Sequence, residues 1–275
     1  MLTGLKEILA KAETGGYAVP AFNVYNMETV MGVARAAGTL RSPVILQCYS
    51  RLFDGEEGDY LSRIILRAAE KADVPVCYHL DHGAGLKEVV RALRWGATGI
   101  MLDVSLSPFE ENLAATREVA ALCAQAGVAT EGELGHIGST SDSQVAAYTD
   151  PAEAERFAAE TGVAALAVMV GTAHGRYKKA PVLDIARIAA IKERTGLPLV
   201  LHGGSGVPDD QIRAAIGAGI RKINFGTDLC YSFLDGIFAA DRSKYAVDLF
   251  MKGPVACVEA FAASKIRLLG AEGKA

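Results

Sequence analysis

The sequence predicts an α/β fold, a (β/α)8 TIM barrel with extra C-terminal helices, and three observations predict it. Short apolar runs alternate with amphipathic stretches along the 275 residues, with no break in composition and no low-complexity linker. Most of the apolar runs lack strict alternation, as expected of strands buried on both faces. Glycines stand where the intervening helices should stop. One domain over residues 1–275 is expected, because α/β barrels commonly reach this size.

The elements follow in order. Ala18–Val24 is the first expected strand, and Asn26 with Glu28 opens the helical pattern Glu28–Gly38. Val44–Tyr49 and Leu61–Ala72 form the second pair, Val76–Leu80 and Leu86–Trp95 the third, with Gly96 as the stop. Gly99–Leu102 leads to Pro108–Ala126, started at Ser107-Pro108 and ended at Gly127. Val128–Glu133 and Ala164–Val170 are the fifth and sixth strands, with Gly162 ending the helix between them. Asp184–Thr195 runs to Gly196, Leu199–Leu201 is the seventh strand, and Gly219 precedes the eighth at Lys222–Phe225. The tail, Ser232–Ala275, is expected as extra helix that packs on the barrel or on a neighbouring subunit.

Bulk properties narrow the partners. A net charge of −4 without a Lys/Arg-rich run argues against nucleic acid. Five scattered cysteines without a C-x-x-C pair suggest buried thiols in a reducing compartment. The start, Met1-Leu2-Thr3-Gly4-Leu5-Lys6-Glu7, lacks the order of a secretory signal, and no uncharged apolar stretch could span a bilayer. A cytoplasmic protein is expected, with no membrane partner.

On such a barrel the C-terminal strand ends face the active site. Here they carry Asn23, Arg51, Asp81 with His82, Asp103, Glu133, His174, His202 and Asn224, so all eight strands contribute. One polar residue at a strand end is ordinarily a satisfied loop residue, but eight of eight is harder to dismiss. His82, His174 and His202 would place three imidazoles on one rim, the ligand set of a catalytic zinc with an open fourth position. Cobalt or iron also suits three imidazoles. The bland alternative is that each imidazole caps a strand carbonyl. Asp81 is placed to act as acid or base across the site, or else to anchor an imidazole.

Gly203, Gly204, Ser205 and Gly206 offer amides and a hydroxyl on one turn, and Asn224-Phe225-Gly226-Thr227 repeats that chemistry after the eighth strand. These are the loops that commonly hold phosphate in a barrel. A Lewis acid beside a phosphate cradle suits enolate chemistry at a ketone. A Schiff base is the other route, but no strand ends in lysine at this rim, since Lys222 is expected to begin the eighth strand.

The motifs resemble the class II, zinc-dependent fructose-bisphosphate and tagatose-bisphosphate aldolases over nearly the whole chain. They are Ala21-Phe22-Asn23, His79-Leu80-Asp81-His82-Gly83, Met101-Leu102-Asp103, Ser107-Pro108-Phe109-Glu110-Glu111-Asn112 and Glu131-Gly132-Glu133-Leu134-Gly135. Gly171-Thr172-Ala173-His174-Gly175, Leu201-His202-Gly203-Gly204-Ser205-Gly206 and Gly270-Ala271-Glu272-Gly273-Lys274-Ala275 complete the set. The resemblance implies zinc on His82, His174 and His202, with Asp103 and Glu133 close by as alternative ligands or partners of the ligands. It implies that Asp81 shuttles the proton of the C4 hydroxyl. Gly175, Gly203, Gly204, Ser205, Asn224 and Thr227 would hold dihydroxyacetone phosphate, with a monovalent cation near the phosphate. Homodimers or homotetramers are implied.

Three departures bear on the substrate. The loop after the fifth strand reads Gly138-Ser139-Thr140-Ser141-Asp142-Ser143, with Ser141 where the family carries a proton-exchanging glutamate, so that either Asp142 substitutes or the proton step is slow or differently routed. Val255 stands where bisphosphate aldolases often have an arginine for the far phosphate. Arg51 stands where many relatives have small residues; it is either one half of a surface salt bridge or, because its planar fork suits a carboxylate, phosphate or sulfonate, a binder of the aldehyde half. The expected reaction is reversible cleavage of a ketose 1-phosphate to dihydroxyacetone phosphate and an aldehyde. A non-catalytic sugar-phosphate binding protein and a zinc metallohydrolase on the same barrel are the alternatives.

Overall fold

The computed structural model describes residues 1–140 and 147–275. Among them, eight parallel strands close in sequence order into a barrel, each paired with the next and the eighth with the first. They are β1 (Val19–Asn23), β2 (Val44–Tyr49), β3 (Val76–Gly83) and β4 (Gly99–Leu102), then β5 (Ala129–Leu134), β6 (Ala165–Val168), β7 (Leu199–Leu201) and β8 (Ile220–Phe225). The expected fold class is the observed one. Burial on both faces explains the sequence pattern: Val19, Ala21, Ile45, Cys77, Ile100, Leu166 and Val200 are all inaccessible.

The ring of helices forms for local reasons. Asn26 accepts from the Thr29 N–H while the Thr29 hydroxyl accepts from the Asn26 N–H, a capping box that starts the helix Met27–Thr39. Asp150 and Asp184 cap the helices Pro151–Thr161 and Ile185–Thr195 through their carboxylates. Gly162 and Gly196 end those helices in the left-handed conformation.

Several expectations shift. The helix after β4 is capped at Pro108 rather than Ser107, and no side chain closes its first turn. β8 begins at Ile220, so Lys222 is its third residue and points into the barrel instead of opening the strand. The helix after β8 starts at Thr227, ahead of the expected Ser232, and runs to Phe238. Two further helices follow, Val247–Phe250 and Lys252–Leu268, the latter packed against Met27–Thr39. Gly32 is the reason they fit, since a Cβ there would stand 2.6 Å from Val258. Val255 is buried in this packing and does not line the cavity described below.

The helix Leu5–Gly15 precedes the strand–helix alternation. It lies across the strand starts, with the Leu5 N–H bonded to the carbonyl of Thr98 at 3.0 Å. Leu5, Ile8, Leu9 and Ala12 are fully buried there, so the helix seals the N-terminal mouth. The cysteines are free thiols; Cys48, Cys77 and Cys123 are buried as expected, whereas Cys230 and Cys257 are half-buried. No helix among the described residues is long and apolar enough to cross a membrane.

Candidate active site

The C-terminal rim encloses a cavity of 380 Å3. Asn23, Arg51, Asp81, His82, Asp103 and His174 line it, together with Gly175, Gly203, Ser205, Asn224, Gly226 and Thr227. Those expected site residues therefore come together. His202 and Glu133 lie just beneath, where ligand nitrogens of His82, His174 and His202 sit within 4.8 Å of one another. Ligand atoms of His82, Asp103 and Glu133 form a second such group.

The backbone bends to present these groups. The pairing of β3 with β4 shifts register between Leu80 and Gly83, and His82 at that irregularity has φ +51°. Non-glycine residues seldom adopt that conformation. It turns the imidazole over the rim, with Nδ1 2.6 Å from the Asp103 carboxylate and Nε2 3.1 Å from His202 Nδ1. His202 in turn directs Nε2 to Glu131 at 2.9 Å. His82 and His202 thus each have one nitrogen held by a carboxylate and the other turned toward the centre, an arrangement that fixes orientation in metal sites.

The buried imidazoles and carboxylates at that centre shift one another strongly. Burial disfavours charge on His82, but Asp81, Asp103 and Glu133 outweigh it and push its pKa up to about 10. Burial together with the neighbouring His82 and His202 drives His174 down to about 3. Burial and the Asp103 charge raise Glu133 to about 8. Burial opposes charge on Asp103 too, yet the His82 and Ser105 bonds hold it well below the usual carboxylate range. Glu133 Oε2 is buried without a hydrogen-bond partner among the described residues. Three imidazoles, two carboxylates and an unsatisfied buried oxygen fit a divalent metal.

Asp81 faces the same space from the other quadrant. Asn23 donates to it at 2.6 Å and Asn224 at 3.3 Å, while Gln47 donates to Asn23 Oδ1. Burial favours its neutral form, but His82, His202 and Lys222 outweigh that and lower its pKa. It is therefore a buried, oriented carboxylate. Beside it the glycine turns open. Gly203 has φ +65°, and a Cβ there would approach the Ala173 carbonyl oxygen to 2.4 Å. Gly226 caps a twelve-residue helix that starts at Thr227; both residues line the cavity, and the Asp228 N–H donates to the Ser205 hydroxyl at 3.1 Å. Gly204 departs from expectation. It does not line the cavity, and its N–H donates to the Asn224 carbonyl at 3.1 Å, tying the two turns together.

Other residues matter that sequence reasoning passed over. Tyr177 places its hydroxyl 2.8 Å from the Ala173 N–H and 3.0 Å from the Gly203 carbonyl, pinning the loops after β6 and β7. Beneath the site, Lys222 donates to Glu131 at 2.7 Å, with His79 at 3.4 Å, all fully buried. Burial would neutralise Glu131, but Lys222, His202 and His79 hold its pKa well below the usual range. Arg51 lies over the rings of Tyr25 and Tyr49, 5.4 and 4.9 Å from their centroids. It makes no ion pair among the described residues. Ser141 and Asp142 lie outside the described residues.

Comparisons with known proteins give the chain a family. The family model for fructose-bisphosphate aldolase class-II matches residues 3–274. The D-tagatose-1,6-bisphosphate aldolase subunit GatY of Klebsiella oxytoca is 37% identical over 277 residues, 98% of each chain. The crystal structure of the YdjI aldolase from Escherichia coli K12 superposes with a TM-score of 0.91 at 33% identity, covering 100% of both chains. The fructose-bisphosphate aldolase of Campylobacter jejuni, 22% identical, shares the fold with a TM-score of 0.81 over 100% of this chain and 97% of its own.

Proposed function

The chain belongs to the class-II fructose-bisphosphate aldolase family and is a carbon–carbon lyase; from that premise we propose that it cleaves a ketose 1-phosphate reversibly, with a bound divalent metal, to dihydroxyacetone phosphate and an aldehyde. The observation that carries this reading is the facing of His82, His174 and His202 by Asp81 across one cavity edged by glycine turns.

His82, His174 and His202 would hold zinc, with Asp103 orienting His82 and Glu133 as an alternative ligand. A metal held there would supply Lewis-acid chemistry at the substrate carbonyl. Asp81 accepts the proton of the hydroxyl on the far carbon, held for that task by Asn23 and Asn224. The Gly175, Gly203, Ser205, Gly226 and Thr227 edge binds the phosphate, and Gly204 sets the spacing of its two turns. A monovalent cation near the phosphate, a homodimer or homotetramer, and a cytoplasmic location belong to the same reading.

Arg51 reads the other end of the substrate. Stacked on Tyr25 and Tyr49, its guanidinium is pre-oriented toward the cavity, which favours an aldehyde half with a carboxylate, sulfonate or phosphate. Arg51→Ala should raise KM for the true substrate strongly, and unchanged kinetics would exclude this role.

The test of the whole reading is release of dihydroxyacetone phosphate from a panel of ketose phosphates. The panel spans fructose and tagatose bisphosphates, a deoxy-keto-gluconate phosphate and a sulfofructose phosphate, assayed with chelator and with zinc restored. Chelator-sensitive release from one member supports the reading. Binding without release from any would sink it and leave a sugar-phosphate binding protein, and release of inorganic phosphate instead would indicate a hydrolase.

A further inference from the structure

Retro-aldol cleavage moves protons at two different atoms. A hydroxyl oxygen gives one up as the bond breaks, and the carbon left behind must gain one before the ketone fragment can leave. Asp81 serves the first. It is held by residues of β1 and β8, so it sits over one side of the barrel. A group for the second transfer should approach from the other side.

His136 occupies that place. It follows β5 by two residues, and β5 stands opposite β1 in the eight-stranded ring. It is half-buried, lines the same cavity as Asp81 and His174, and is not a member of either candidate metal group. The segment that follows it is fixed by hydrogen bonds. The Ile137 N–H donates to Glu133 at 3.0 Å, and the Gly138 carbonyl accepts from the His174 N–H at 2.8 Å. Thr140 N–H then donates to the His174 carbonyl at 2.7 Å, so residues 136–140 run as an extension of the barrel wall.

The hydrogen bonds around Ser105 select the tautomer. Its hydroxyl lies 2.7 Å from Asp103 Oδ1, 2.9 Å from Glu133 Oε1 and 3.0 Å from His136 Nδ1. One hydroxyl has one proton, and a carboxylate is the stronger acceptor, so that proton goes to Asp103 or Glu133. Ser105 then accepts the Nδ1–H of His136, which leaves Nε2 as the unprotonated nitrogen of a ring that lines the cavity.

We infer that His136 is the catalytic base and acid at carbon in this active site, with Ser105 as the residue that positions it; the inference rests on the aldolase reading above. In the direction of synthesis, the C–H bond at the hydroxymethyl carbon of dihydroxyacetone phosphate breaks and its proton passes to Nε2. The electron pair enters the adjoining carbonyl system as an enediolate. In cleavage the imidazolium returns the proton to the same carbon, so no oxidant or further reactant is needed.

The experiment is exchange of the hydroxymethyl proton of dihydroxyacetone phosphate in D2O, followed by NMR on the zinc-loaded protein without aldehyde. His136→Gln should slow exchange about 100-fold or more, within the range for a general base, while zinc content and dihydroxyacetone phosphate affinity stay near those of the wild type. In His136→Ala, added imidazole should restore part of the exchange, which a structural role would not permit. Exchange by His136→Gln within about threefold of wild type, or failure of imidazole to act on His136→Ala, overturns the assignment. Ketose phosphate cleavage by the wild type separates the two levels: its presence with unaffected exchange in the variant defeats His136 alone, and its absence defeats the aldol reading with it.

Discussion

Lys222→Met removes the cation from the charged layer beneath the site and leaves a shape the cavity can accommodate. Lys222 and Glu131 are both fully buried and 2.7 Å apart, so the change strands a carboxylate that solvent cannot reach. Breaking a buried pair from one side costs about 3–5 kcal/mol. At about 2–4 °C per kcal/mol for a chain of this size, the metal-free protein should melt roughly 6–20 °C lower. Glu131 also orients His202 through Nε2 at 2.9 Å, so zinc affinity should fall by about 10–100-fold. The pH dependence has a definite sign. In the wild type, burial opposes charge on Glu131 but Lys222, His202 and His79 depress its pKa, so its contribution is present above the unfolded carboxylate value of about 4.3 and is lost as pH falls through the folded one. The variant can escape its penalty by protonating Glu131. The gap in melting temperature should therefore be widest near neutral pH and narrow toward acid. Adding Glu131→Gln should recover much of the loss, because both charges are then gone. A Lys222→Met protein within about 1 kcal/mol of wild type at neutral pH would refute the reasoning.

Three further outcomes are expected. Asp103→Asn removes the carboxylate 2.6 Å from His82 Nδ1 and should weaken zinc binding about 10–100-fold in a chelator competition, and unchanged affinity would dismiss Asp103 as a support of the metal. Gly203→Ala forces a Cβ against the Ala173 carbonyl at φ +65°, adding about 1–2 kcal/mol of backbone strain to about 1–3 kcal/mol of overpacking; equal stability in urea would contradict the close approach. Burial pushes the Cys48 and Cys77 thiols up to about 12, so iodoacetamide at pH 8 should leave both unmodified in the folded protein while reaching half-buried Cys257, as mass spectrometry would show; early labelling of Cys77 would count against the packing.

The rim of the barrel was legible because each strand end carries a polar residue after an apolar run. The layer below it was not, although the same periodicity contains it. Successive residues of a strand point to opposite faces, so position i−2 shares the face of i one layer deeper. His79 stands two before Asp81, Glu131 two before Glu133, and Lys222 two before Asn224. Reading inward by two would have exposed the charged layer and moved Lys222 from the start of β8 to its interior. His136 escaped for a different reason, since it lies past the strand end, where only three-dimensional packing brings a loop back to Ser105. The helix Leu5–Gly15 was missed because it belongs to no strand–helix pair, and only the contact of Leu5 with the strand starts gives it a place. Gly204 shows the opposite limit. A glycine-rich turn announces a close approach, but not whether a ligand or the Asn224 carbonyl is what approaches.

The packed barrel core, with the N-terminal helix beneath it, leaves the described cavity opening at the C-terminal rim. Two fragments formed inside must pass the same doorway, and whichever lies deeper is obstructed until the other has gone. On the proposed cleavage, release would then be sequential. The fragment that leaves last competes with the ketose for the emptied protein, while the first to leave does not, so product-inhibition patterns report which half of the sugar sits at the bottom.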